Sequence, residues 1–319
     1  METKPHFILP LLLIYLFVIS FAQEKSDDFP ALNGPYLGQK TPGKTAQPFA
    51  ADIFGSKYKG FHSSVFFSPG GKEAYWQTIL NDKSGLQGIF ESRYENKIWT
   101  RPQAAFFSIF AAQGMDDAPF ISPDGSRFFF LSSRAVEEGG KSGKHNIWMT
   151  ERTAEGWSNP QPLPPIVNSL EGIHWQLSVD KESNLYFGTW RLQEGRYTGD
   201  IYCSRFESGQ YTKPEKLGPE INVPGYYNRS PFIAPDGSYL LFNSQNVSKM
   251  TTLLSCFRKS DGTWTKPRDL YDIIGRDGGC PLVTLDGKYL FFLDDINGII
   301  RPFWIDAGFI GKLKQAELK

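Results

Sequence analysis

Dense apolar runs, each introduced by the same polar turn, set the pattern of this chain. Arg127–Leu131, Tyr239–Phe242 and Tyr289–Phe292 are short, rich in aromatic residues and do not alternate with polar ones. Each therefore predicts a strand buried on both faces. The turns before them read Ser122-Pro123-Asp124-Gly125, Ala234-Pro235-Asp236-Gly237 and Leu285-Asp286-Gly287, with a further copy at Ser68-Pro69-Gly70-Gly71 and a degraded one over Ser178–Asn184. Pro presets φ in such a turn, Asp tolerates the next position, and Gly closes it where a side chain would crowd. The closing glycines fall at 71, 125, 237 and 287, with gaps of 54, 112 (a doubled unit) and 50 residues. A recurring interval with one hairpin per unit predicts a repeat architecture.

Two more elements recur in each unit. Third strands are predicted at Gly88–Phe90, Asn146–Trp148, Asp200–Tyr202 and, more weakly, Leu253–Leu254. An aromatic-x-x-Pro segment follows at Trp99–Pro102, Trp157–Pro160, Tyr211–Pro214 and Trp264–Pro267. The aromatic suits the space between stacked sheets, and Pro, lacking an N–H, suits an outer edge. Four strands per unit, inner to outer, describe one propeller blade. The last hairpin has a third strand near Phe303–Ile305 but no aromatic-x-x-Pro segment after it, whereas Thr45–Ile53 has no hairpin before it and aligns with Lys213–Ile221. The expected fold is therefore all-β: a β-propeller of five blades, closed by an N-terminal strand. Six blades are the alternative, and would need a unit the repeats do not display.

Composition refines this picture. Residues 1–22 carry Lys4, an apolar run from Phe7 to Ile19 and a small-x-small end at Ser20–Ala22, which reads as a cleaved signal peptide. The run is shorter than a membrane span and Pro10 interrupts it, so no span is expected after cleavage and the protein is expected to be periplasmic or extracellular. Residues 23–38 read as a flexible leader, 39–312 as a single propeller domain and 313–319 as a C-terminal tail. The formal net charge of +0 argues against a nucleic-acid partner. Cys203 and Cys256 occupy matching third-strand positions and Cys280 stands apart, so all three read as buried small residues without a disulfide. Gly139–Lys144 lacks phosphate-loop spacing and reads as a flexible loop.

The Ser/Ala-Pro-Asp-Gly hairpin, the Ile-Trp/Tyr third strand and the Trp-x-x-Pro segment resemble the WD40-like repeat of TolB-type β-propellers. Tyr36–Gly43 and Phe61–Ser64 are similar to secreted members of that group from Bacteroidetes-like bacteria. The resemblance covers residues 36 to 310 and departs at Asp180–Ser183, which replaces the turn, and at Leu285, which replaces Pro. It implies a periplasmic or extracellular binding and scaffold module, and specifies shape more than activity.

Candidate chemistry gathers on one face. The segments before each inner strand supply His62, Asp116, Asp117, His174, Trp175, Asn228, Arg229 and Asp277. The loops after each second strand supply Arg134, Trp190, Arg191, Arg196, Asp294 and Asp295. Aromatic faces beside Arg, Asp and Asn suit a glycan, an acidic one above all, or a protein partner. Arg134 and Arg191 hold equivalent places in neighbouring blades, so they are expected to clasp one anion. A carbohydrate-active enzyme, lyase or glycoside hydrolase, is the alternative on the same face. Three histidines remain after cleavage, too thin a set for a histidine-rich metal site, and no cofactor is implied. Asp116/Asp117 and Asp294/Asp295 are adjacent along strands, so each pair points to opposite faces.

Overall fold

The computed structural model describes residues 29–319 apart from 56–57, 82–85, 109–115, 137–142, 171–172, 194 and 246–251. The expected signal peptide, the front of the leader and most of the Gly139–Lys144 loop lie outside the described residues. The chain forms a five-bladed β-propeller. Blade two runs, inner to outer, through Asp116–Ile121, Arg127–Ser132, Asn146–Thr153 and Gln161–Pro162. Blade three uses Ile173–Val179, Leu185–Gln193, Ile201–Ser204 and Glu215–Lys216, and blade four Tyr227–Ile233, Tyr239–Gln245, Thr252–Phe257 and Arg268–Asp269. In blade one, Tyr58–Gly60 and Phe66–Phe67 share the innermost place, ahead of Glu73–Leu80, Gln87–Glu95 and Gln103–Ala104. Among the described residues no helix is long and apolar enough to cross a membrane.

All five turns form, including the degraded one. Gly71, Gly125, Gly237 and Gly287 each donate their amide to the residue three positions earlier, at 2.7–2.8 Å. Ser183 does the same to Asp180 at 3.0 Å. The fourth position requires positive φ, 76° at Gly125 and 69° at Ser183, which glycine adopts without cost and serine does not. Ser183 in turn bonds the Arg127 guanidinium of blade two, a contact glycine could not make.

Blade five holds Gly279–Val283, Tyr289–Ile296 and Ile299–Asp306, and its outermost strand is Gln47–Pro48. Gln47 pairs with Trp304 and Pro48 with Phe303, and the Phe49 amide extends the contact to the Pro302 carbonyl at 2.8 Å. Phe49, 1% exposed, meets Phe54, Phe67, Phe291 and Trp304 at centroid distances of 4.9–6.0 Å. The ring is thus closed by the N-terminal strand, with its last and first blades cemented by aromatics.

Three details differ from expectation. Leu32–Gly38, expected within a flexible leader, are packed: Leu37 is buried, and the Trp99 amide and indole donate to the carbonyls of Leu32 and Gly34 at 2.9 and 2.8 Å. Polar neighbours mask these anchors in a composition profile. The C-terminal segment is a helix, Gly308–Glu317, that runs past residue 312. The aromatic of each aromatic-x-x-Pro segment ends the third strand's hairpin, as in Arg152 opposite Trp157, and the fourth strand starts only after Pro. Proline offers the ladder no donor, so pairing resumes one residue later. The aromatics do bridge blades: Trp157 donates to the Tyr75 hydroxyl of blade one at 3.3 Å, while Arg152 lies 3.7 Å over its ring.

Two asparagines tie the outer part of blades two and three. The Asn222 side chain accepts from the Ile201 amide (2.7 Å) and donates to the carbonyls of Ile201 and Leu217 (both 2.9 Å). Asn168 repeats the pattern on Ile147 and Leu163. Each satisfies three buried backbone groups where the chain leaves the sheet.

Closure by so short a strand makes Phe49 decisive. Phe49→Ala is expected to cost about 3–5 kcal/mol of unfolding free energy, the usual range for emptying an aromatic core site. Urea unfolding checks this, and a loss below about 1 kcal/mol would show that the closing strand is dispensable.

Candidate functional site

The inner strands of blades two to five share a defect close to their starts. Registry slips between Asp117 and Phe120, Trp175 and Leu177, Arg229 and Phe232, and Gly279 and Leu282. Within each slip one residue takes positive φ: Ala118 (52°), Gln176 (52°), Ser230 (54°) and Cys280 (49°). Proline follows three of the four, at 119, 231 and 281, and its missing donor suits a bulge. Ser64 is the aligned residue of blade one. The bulges turn these residues toward one another and close the axis. Ser64 Oγ donates to the Cys280 carbonyl at 2.5 Å, and Gln176 Nε2 and Cys280 Sγ reach the His62 carbonyl at 2.9 and 3.2 Å. Asn243 accepts from the Cys280 amide at 2.7 Å. The space left among Ser63, Gln176, Ser230 and Cys280 is about 10 Å³, the room of a single water.

Immediately ahead of the plug residues stand His62, Asp117, Trp175 and Arg229, from four blades, with Asp117 buried at 1% exposure and the other three half-buried. The His62 and Trp175 rings are 6.4 Å apart across the axis. Burial pushes the Cys280 thiol up to about 11, opposed by Ser230 and Arg229. Asp117 accepts its neighbour Ala118's amide at 2.6 Å. The Arg229 guanidinium lies 4.4 Å over the Tyr227 ring and donates to Gln245 at 3.0 Å.

Other predicted residues have structural work. Asp116 is buried and paired with Arg134 at 2.6 Å, and Arg134 also binds the Phe107 carbonyl (2.9 Å) and Ser132 (2.8 Å) while lying between the Phe130 and Trp148 rings. The expected clasp of one anion by Arg134 and Arg191 therefore does not form, because Arg134 is committed inside its own blade. Asn228 is fully buried, accepting from Ser244 at 2.9 Å and donating to the Val223 and Tyr226 carbonyls. Asp294 pairs with Arg276, and Asp295 caps the following turn at Gly298. Asp277 is half-buried ahead of blade five. Trp190 is half-buried with its ring edge-on to Tyr197 at 5.4 Å, and Arg191 and Arg196 are exposed. Among the described residues no group of three or more His, Cys, Asp and Glu is placed to hold a metal.

His174 is fully buried against Phe187 at 5.0 Å, and neither ring nitrogen has a protein partner. Burial pulls it down to about 3, helped by nearby Lys144 and His145. His145 is one of the three histidines counted in the sequence, where it is not placed among the candidate ligand-binding residues. It is half-buried and itself lowered by burial, with Asp117 opposing and His62 adding to that shift. Its place one residue before a third strand is the signal that could have found it. The three cysteines are unpaired, with Cys256 buried and Cys203 half-buried.

No protein-family model matches the chain, and no curated protein matches it in sequence. Solved structures share its fold. An endo-arabinase from Bacteroides thetaiotaomicron aligns at TM-score 0.50 and 14% identity over 79% of this chain and 95% of that one. TolB from Acinetobacter baumannii aligns at 0.47 and 14% over 76% and 56%, so this chain spans little more than half of its length. An alpha-L-arabinofuranosidase from Podospora anserina, in complex with cellotriose, aligns at 0.47 and 11% over 82% and 95%. At such identities the likeness establishes the β-propeller and nothing finer.

His174 gives a pH signature. Its folded value, about 3, lies below the ordinary 6.5, so the unfolded chain binds the extra proton. Its contribution is intact above pH 6.5 and is lost as pH falls from there toward 3. In blade four the aligned residue is Asn228, so His174→Asn keeps the shape and should flatten the decline of the urea midpoint between pH 6.5 and 4.5. Parallel curves for variant and wild type would refute this.

Proposed function

We propose that the protein is an exported binding module that seats a carboxylate-bearing polar ligand, an acidic glycan, in its axial mouth. The observation that carries this reading is that His62, Trp175 and Arg229, all half-buried, stand beside the plug residues of a closed axis, with the His62 and Trp175 rings 6.4 Å apart. An indole face offers the C–H surface of a sugar ring a flat apolar platform. A guanidinium held over Tyr227 offers a carboxylate a pre-oriented fork. His62 Nδ1 and Ser63 Oγ are buried without a protein partner, which leaves unused polar groups beside the axis. Because the mouth is blind, a ligand there exchanges its water for these groups on every side but one.

A two-carboxylate hydrolytic mechanism is less well supported. It needs two acids facing one bond, yet Asp116 and Asp294 are held in ion pairs and Asp117 is buried. The apolar segment at residues 7–19 supports export. N-terminal sequencing of the secreted protein is expected to begin at Gln23.

The test is an acidic-glycan array with wild type and the Trp175→Ala/Arg229→Ala variant. The variant is expected to bind at least about tenfold more weakly, a loss of about 1.4 kcal/mol, with its melting temperature little changed. Equal binding by the two proteins would refute the mouth as the site. A wild type silent on every uronate-bearing glycan would refute the glycan and point to a protein partner.

A further inference from the structure

Blade three carries a projection beyond its sheet. Its second strand, Leu185–Gln193, pairs with the third strand only from Leu185 to Gly188. Arg191, Leu192 and Gln193 pair instead with Thr198, Tyr197 and Arg196, outside the path of the blade. In blade four the second strand pairs along its length with strands of its own blade. The projecting hairpin exposes large side chains, with Leu192 and Tyr197 each 63% accessible.

These rings form a row that ends at Arg229. Trp190 and Tyr197 are 5.4 Å apart, Tyr197 and Tyr227 6.4 Å apart, and the Arg229 guanidinium lies 4.4 Å from Tyr227. Gly199 fixes the row: a Cβ there would fall 2.3 Å from the Thr189 carbonyl and 2.5 Å from the Tyr227 ring, so the tyrosine rests on bare backbone. Charge flanks the row. Arg191 and Arg196 have no acidic partner among the described residues, whereas Arg93, Arg134, Arg152 and Arg276 are each ion-paired.

We propose that this hairpin is a second subsite for the ligand of the mouth, so that the protein binds an oligouronide along several residues rather than by one terminal sugar. The inference rests on the glycan reading of the mouth and extends it outward. An exposed tyrosine ring beside a half-buried indole, with the exposed guanidiniums of Arg191 and Arg196 alongside, suits pyranose rings carrying carboxylates. Two linked contacts on one chain bind more tightly than either alone, provided the chain spans both.

Titration calorimetry on the full mature protein tests this with galacturonate, trigalacturonate and hexagalacturonate. Affinity is expected to rise at least about tenfold from monomer to hexamer. Tyr197→Ala/Arg196→Ala should remove that gain and leave monomer binding unchanged, whereas Arg229→Ala should weaken monomer and hexamer alike. Retention of the full gain by the hairpin variant, with Arg229→Ala still weakened, would overturn the hairpin and leave the mouth standing. Equal affinity for monomer and hexamer would do the same. Failure of wild type to bind any of the three would overturn both readings. Binding of oligo-aspartate in preference to hexagalacturonate, with the same dependence on Tyr197 and Arg196, would overturn the glycan chain in favour of an acidic peptide.

Discussion

Everything in this molecule rests on two residues of strand, Gln47 and Pro48, laid on the edge of blade five. Adjacent blades can cover one another's faces only if the circle is complete. An open ring would leave one blade edge unpaired and the last seam wet, and an exposed edge is a template for aggregation. Two residues of ladder are a weak latch in themselves. What holds them is the aromatic packing of Phe49, Tyr36 and Trp304 across the seam, where the hydrophobic effect acts on both ends of the chain at once.

The site follows from the same economy of repeats. Each bulged inner strand turns one residue toward the axis. A single geometric device, used in four of five blades, thereby closes it. The lining differs from blade to blade because the backbone, not the side chains, makes the shape. Asp117, Trp175, Arg229 and Gly279 occupy one position of the repeat with four different chemistries.

The architecture was legible because turns speak locally. Pro-Asp-Gly turns and unbroken apolar runs state their conformation within a few residues, and the misaligned ends of the repeat stated the closure. The site was legible only in outline. Sequence position grouped His62, Asp117, Trp175 and Arg229 with Asp116, Asn228 and His174, one residue earlier in the same strands, whereas the structure leaves only His62, Trp175 and Arg229 of these half-buried. A strand alternates its faces, so that single step decides between the axis and the seam between blades. The bulges shift the alternation, and their mark, proline after a small residue in Ala118-Pro119, Ser230-Pro231 and Cys280-Pro281, is visible only once the strands are aligned. Arg134 shows a different limit. Its loop position is right, yet the buried Asp116 beside it claims the guanidinium. Asn168 and Asn222 read as ordinary loop residues because their partners are backbone groups, which no side-chain motif records.

The plug formed by Ser64, Gln176 and Cys280 has a consequence for traffic. A propeller with an open axis lets a polymer enter on one side and emerge on the other, so a strand could be drawn through it without ever being released. Here the floor forbids passage. A molecule meeting either face at the axis must leave by the side on which it arrived, and a long chain can lie only across the blades.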